Sequence, residues 1–214
     1  MTQQPLSQIP RPSASSYEGK KNLFLVPNYV AAPGLPQEAL ELIEKYWSEV
    51  RDSIGNLERT LGSVSKVYHE MVCAEGDEGL QHLEVLNPTA CTLVRAMCQS
   101  TATMRQLEDG ELVAEHSDWQ RVLTMGPASQ KVLQTSLEGY QETLVARYKR
   151  IADRITEDLA VGDCAVLFIR EDHQVQFPTE VQVFYVAPPS LDALKRWLDN
   201  YFRSPPQPES QQGE

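Results

Sequence analysis

Along the chain, short continuous apolar runs alternate with longer stretches in which apolar residues recur at every third or fourth position. NLFLVPNYV, residues 22–30, is a run of the first kind, stopped by Pro27 and Asn28, and it predicts a buried strand followed by a loop through AAPGLP. After Pro36, Leu40, Ile43, Trp47, Val50 and Ile54 fall at helical spacing until Gly62 ends the pattern. SVSKVYHEMV, residues 63–72, places Val64 and Val67 among β-branched and aromatic neighbours and predicts a second strand.

Residues 76–160 read as helical almost throughout. In the last of these helices Leu133, Leu137, Tyr140, Leu144, Tyr148, Ile151 and Ile155 form a single apolar stripe. A run of helices this long is more than one crossover needs, and predicts a helical insertion or cap over 76–160. Beyond Gly162, DCAVLFIR predicts a buried strand, HQVQFP a short further strand and EVQVFYVAPP another. SLDALKRWLDNYF closes the pattern as an amphipathic helix with Ser190 at its N-cap. This order predicts an α/β fold: a mixed sheet of about four to five strands with flanking helices and a central helical insertion, in one domain over residues 21–203.

Outside that domain, residues 1–20 and SPPQPESQQGE, residues 204–214, carry too few apolar groups to offset ordering entropy, and a disordered arm and tail are expected. No run approaches the roughly 20 apolar residues that span a bilayer, and the N-terminus lacks the apolar core of a secretory signal. Cys73, Cys91, Cys98 and Cys164 form no CxxC pair and read as reduced core residues. A soluble, cytoplasmic protein without membrane contact is therefore expected. Residues 1–21 contribute +2 and residues 204–214 contribute −2, so the body carries the whole formal charge of −11. Such a body lacks the basic footprint of a phosphate-backbone binder, and nucleic acid is not expected as a partner.

Ligands of open α/β folds bind beyond the C-terminal ends of the strands, which directs attention to Asn28 and Tyr29, His69 and Glu70, Arg170 to His173, and the loop after Val186. His with Glu at one strand end, and Asp with His at another, are the residue types of a carboxylate–imidazole metal site or an acid–base pair. His69, Glu70, Asp172 and His173 are the candidate ligands of a divalent metal, although no HExxH, HxH or DxH spacing is present. Whether His69 or Glu70 faces the core is open, because a one-residue register change reverses the faces of a strand. In ELVAEHSDWQRVL, Leu112, His116, Trp119 and Leu123 share a face with Glu115 at its edge, which predicts a buried neutral His116. Arg147 lies within the apolar stripe of the long helix and requires a carboxylate partner if buried; Glu70 or Glu115 as that partner would help line a pocket. GxGxxG, GxxxxGK[ST] and GxSxG are all missing, so dinucleotide, P-loop and hydrolase-elbow chemistry has no motif behind it.

An early strand with a Pro-rich lead into a helix, VYHE at the end of the second strand, a central helical region, and ARYKRIADRI before a strand followed by His173 together resemble the TraB/TIKI group of α/β proteins. The resemblance covers most of residues 22–187 and implies metal-dependent hydrolysis, with Glu70 and His173 as the positions that carry over. The GxxH motifs of that group read here as VPNYV and as Arg170-Glu171-Asp172-His173. The residues themselves predict a pocket for a small molecule or a protein partner bounded by Glu70, Glu115, Arg147, Arg170 and His173, with a metal-dependent hydrolase as the alternative. Self-association through the acidic helical region would give a homo-oligomer.

Overall fold

The computed structural model describes residues 20–203; the expected N-terminal arm, apart from Lys20, and the C-terminal tail lie outside them. Five strands, β1 (Lys21–Pro27), β2 (Val64–His69), β3 (Thr103–Met104), β4 (Cys164–Ile169) and β5 (Val181–Tyr185), form one sheet in the order β3-β2-β4-β1-β5. Every pairing is parallel, so the sheet is wholly parallel rather than mixed. The helices are α1 (Gln37–Leu61), α2 (Gly76–Leu86), α3 (Pro88–Cys98), α4 (Gly110–Thr124), α5 (Gln130–Asp158) and α6 (Leu191–Arg203).

The continuous apolar runs of β1 and β4 follow from burial on both faces, as in other parallel sheets. Phe24, Val26, Val166 and Phe168 point into a core shared with α1, α2, α3 and α6. Leu23, Leu25, Ala165, Leu167 and Ile169 point the other way, onto Ile151, Ala152 and Ile155 of α5. In β2 the register shifts between Val64 and Lys66, which sets Val64 and Val67 on the same face despite their odd spacing. HQVQFP forms no strand; residues 170–180 are a loop joining β4 to β5, and Val175 and Phe177 cover the α5 side of the sheet.

Of the predicted helical insertion, α2 and α3 belong to the core of the first face. The long α5 runs against the strand direction. Lys21 and Lys66, near the starts of β1 and β2, donate to the carbonyls of Thr156 and Asp158 at 2.7 and 2.5 Å. Arg147 and Tyr148 stand beside Asn28 and Ile169 at the strand ends. The residues before Arg147 therefore project past the C-terminal edge of the sheet, where α4 packs against them. That seam is polar: His116, Ser136, Thr143 and Arg147 are buried, whereas Leu137 of the predicted apolar stripe is 46% exposed.

Candidate functional site

Three strand ends and the α4–α5 hairpin enclose a cavity of about 430 Å³ lined by Asn28, Glu70, Met71, Glu108, His116, Arg147, Tyr148 and Arg170 among others. The end of β1 is held from behind. Tyr46 donates its hydroxyl to the Pro27 carbonyl at 2.6 Å, and Trp47 donates to the Tyr29 carbonyl at 3.1 Å. Asn87 caps α3 by accepting from the Ala90 N–H at 3.1 Å, and its amide donates to Asn28 Oδ1 at 2.8 Å. This fixes the Asn28 amide so that its Nδ2 donates to Glu70 Oε1 at 2.9 Å.

At the end of β2 the chain turns sharply. Val72 N donates to the His69 carbonyl, and Met71 adopts φ 67°, a left-handed conformation uncommon for a side-chain-bearing residue. Glu108 holds this turn: its Oε1 accepts from Met71 N at 2.9 Å and from Arg147 Nη2 at 2.6 Å, while Oε2 accepts from Arg147 Nε at 2.7 Å. The guanidinium also reaches the Met71 thioether at 3.3 Å. At the end of β4, Arg170 is engaged by both oxygens of Asp172, at 2.5 and 2.8 Å. Glu171 next to it accepts from the hydroxyls of Tyr29 and Tyr185 and from Lys195.

Glu70 and His116 in the cavity stand outside these ion pairs. Glu70 accepts from the Asn28 amide and from the Arg170 backbone N–H but has no ion-pair partner, and burial raises its pKa above the usual carboxylate range even though these two hydrogen bonds and the Arg170 charge act in the opposite direction. His116 is 4% exposed and stacks on Tyr140 with ring centroids 4.5 Å apart. The single Thr143 hydroxyl proton is shared between the Gly139 and Tyr140 carbonyls, at 2.9 and 3.0 Å, an arrangement that matches the His116 tautomer donating from Nδ1 to the Thr143 oxygen at 3.1 Å. In that tautomer Nε2 is unprotonated. Burial, followed by the charge of Arg147, lowers its pKa and keeps it neutral at pH 7.

Glu70, Arg147, Arg170 and Asp172 all line the cavity. Glu115 does not: it is exposed and accepts from Trp119 Nε1 at 3.2 Å, while His116, the next residue, takes the inward position. His173 turns away, its Nδ1 accepting from Val175 N at 3.2 Å inside the loop. His69 lies behind the cavity at 2% exposure. Its Nδ1 contacts the Glu70 carbonyl at 2.6 Å and its Nε2 faces Asn28 Oδ1 at 3.2 Å, two oxygens that only accept, so a neutral ring satisfies one of them. Burial nevertheless dominates and pushes its pKa down to about 4.

The metal set expected from His69, Glu70, Asp172 and His173 is not brought together. His69 is turned to the α3 side of the sheet, Asp172 is committed to Arg170, and His173 to its own loop. Among the described residues, no group of three or more His, Cys, Asp or Glu side chains is placed to hold a metal ion. The sequence reading missed Glu108, which follows Leu107 and precedes the Asp109 N-cap of α4; nothing in the local pattern separates it from a solvated loop acid. Arg147 is buried with a carboxylate partner, as its place in the apolar stripe requires, and that partner is Glu108 and neither Glu70 nor Glu115. A larger groove of about 590 Å³ between α1 and α3 is lined by Leu40, Ile43, Trp47 and Leu93 with Glu44 and Arg51, and gathers no comparable set of buried titratable groups.

No protein-family model, curated protein or solved structure matches the chain. Among the described residues no helix is long and apolar enough to cross a membrane.

Proposed function

We propose that the protein binds a small polar ligand in the cavity at the C-terminal ends of β1, β2 and β4. The observation that carries this reading is a partly buried carboxylate, Glu70, that lines the cavity without an ion-pair partner, whereas the other carboxylates of the lining, Glu108, Asp172 and Glu171, are each engaged by a cation. Leaving such a group uncompensated is unfavourable for folding alone, which argues that its partner arrives with the ligand. Support also comes from the strained Met71 turn that presents Glu70, because strain of this kind concentrates at binding and catalytic sites. Position adds to the case, since the cavity lies outside the strand ends of a parallel sheet.

His116 Nε2 supplies a second acceptor, or a base of ordinary strength, for the bound molecule. Glu108, Arg147 and Asp172 act as positioning residues that hold the walls. The four free cysteines support a cytoplasmic setting.

The test is ligand-observed NMR with mixtures of small polar fragments, on the wild-type protein and on Gln120→Trp, which places a large side chain at the exposed rim of the cavity. Fragments that bind the wild type and lose their signal with Gln120→Trp are expected. A fragment set that binds both proteins equally, or neither, overturns the reading.

A further inference from the structure

The same cavity restricts the chemical class of its ligand, an inference that rests on the cavity being the ligand site. Its lining holds four carboxylates, Glu70, Glu108, Glu171 and Asp172, against two guanidiniums, Arg147 and Arg170. The buried guanidinium of Arg147 is closed to an anion, and Arg170 offers only the hydrogens that Asp172 leaves over. Arg147 is held through Nε and Nη2 by both oxygens of Glu108, at 2.7 and 2.6 Å, and is 6% exposed. Arg170 is held through the same two nitrogens by Asp172. A phosphate or carboxylate would find only the outer edge of Arg170 open and would meet Glu70 and the other carboxylates of the lining as like charges.

Beside the Tyr148 hydroxyl, the Gln120 amide and the outer edge of Arg170, the lining presents open acceptors. Glu70 accepts from the Asn28 amide and from the Arg170 backbone N–H and keeps further lone pairs, and in the tautomer that donates from His116 Nδ1 to Thr143 the Nε2 of His116 is an acceptor. Tyr29 and Tyr148 add aromatic surface, and Met71 a polarizable thioether. We propose that the ligand is a small organic molecule bearing a primary ammonium group, which donates to Glu70 and His116 while its apolar part lies against the tyrosines. An ammonium has three donors and no acceptor, the complement of Glu70 and of His116 Nε2. The pairing also restores the missing counter-charge, and the elevated proton affinity of Glu70 falls once the cation is bound.

Three probes of nearly equal shape test this: 2-phenylethylammonium, 2-phenylethanol and phenylacetate, titrated by ligand-observed NMR at pH 7. The ammonium is expected to bind at least about tenfold more tightly than the alcohol, as removing a charged hydrogen-bonding partner implies, with phenylacetate weakest. Glu70→Gln, which can still accept from the Asn28 amide, should abolish that preference. Glu44→Gln in the α1–α3 groove should leave it intact. Equal or better binding of the alcohol or phenylacetate, binding of none of the three, an unchanged preference in Glu70→Gln, or loss of the preference in Glu44→Gln overturns the ammonium assignment. The cavity reading fails separately: it stands wherever Gln120→Trp removes the binding of any probe or fragment, and falls where that variant removes none.

Discussion

Arg147 and Glu108, 39 residues apart in sequence, form a two-pronged ion pair in which the side chains are 7% and 1% exposed. The pair joins α5 to the segment that leads into α4, and through the Met71 N–H it also fixes the turn at the end of β2. One charged contact thus ties three parts of the cavity wall together.

Removing one partner leaves the other as an uncompensated buried charge. Glu108→Ala or Arg147→Ala is expected to lower unfolding free energy by about 3–5 kcal/mol, while a double replacement by Leu and Met recovers most of the loss. Urea unfolding of the single and double variants measures this. An additive double variant would show that the two residues do not act as a pair.

Stability should respond to pH in two opposed ways. His69 holds its proton less tightly folded than unfolded, so the unfolded chain takes up the extra proton as pH falls from about 6.5 to about 4, and the fold loses about 3 kcal/mol across that window. Glu70 has a raised folded pKa, so its contribution is fully present below its unfolded value and is lost as pH rises through the folded one. Glu70→Gln should therefore be more stable than wild type at pH 7 and lose stability more steeply on acidification. Denaturant midpoints between about pH 8 and pH 4 for wild type, Glu70→Gln and His69→Gln separate the two slopes. A Glu70→Gln variant less stable than wild type at neutral pH would remove the argument that Glu70 is held there against the needs of folding.

Gly139 lies inside α5, where alanine ordinarily adds about 1 kcal/mol to a helix. Here a Cβ would fall 2.4 Å from the Trp119 ring of α4. Gly139→Ala is expected to push Trp119 outward and loosen the hairpin, raising amide hydrogen exchange in residues 110–124 while the sheet remains protected. Combining it with Trp119→Ala should restore the benefit of the alanine. Unchanged exchange in α4 would mean that the ring moves without consequence.

Much of the fold was legible because burial on both faces of a parallel sheet writes itself as continuous apolar runs, and helices on its faces as three- and four-residue spacing. β1, β2, β4, β5, α1, α5 and α6 all occur where those patterns stand. The two-residue β3 is too short to leave a period, and HQVQFP alternates like a strand without obtaining a partner, because β5 pairs with β1 instead of returning beside β4. An apolar stripe likewise says only that a surface can be buried: Leu137 stays open because α5 outruns the sheet that covers Ile151 and Ile155.

The chain by itself determined an α/β fold and the strand ends at which Glu70 and Arg170 stand, since both follow from local spacing. Tertiary structure alone decided which of His69 and Glu70 faces the cavity. The register shift beside Ser65 reverses the faces of β2 after Val64, turning the His69 ring toward Asn28 and Phe168 and the Glu70 carboxylate into the cavity. The same holds for Glu108, Arg147 and His116. Each sits in a segment whose pattern allows several partners, and ionic and hydrogen-bond partners are chosen by proximity in space, which packing sets and sequence spacing does not.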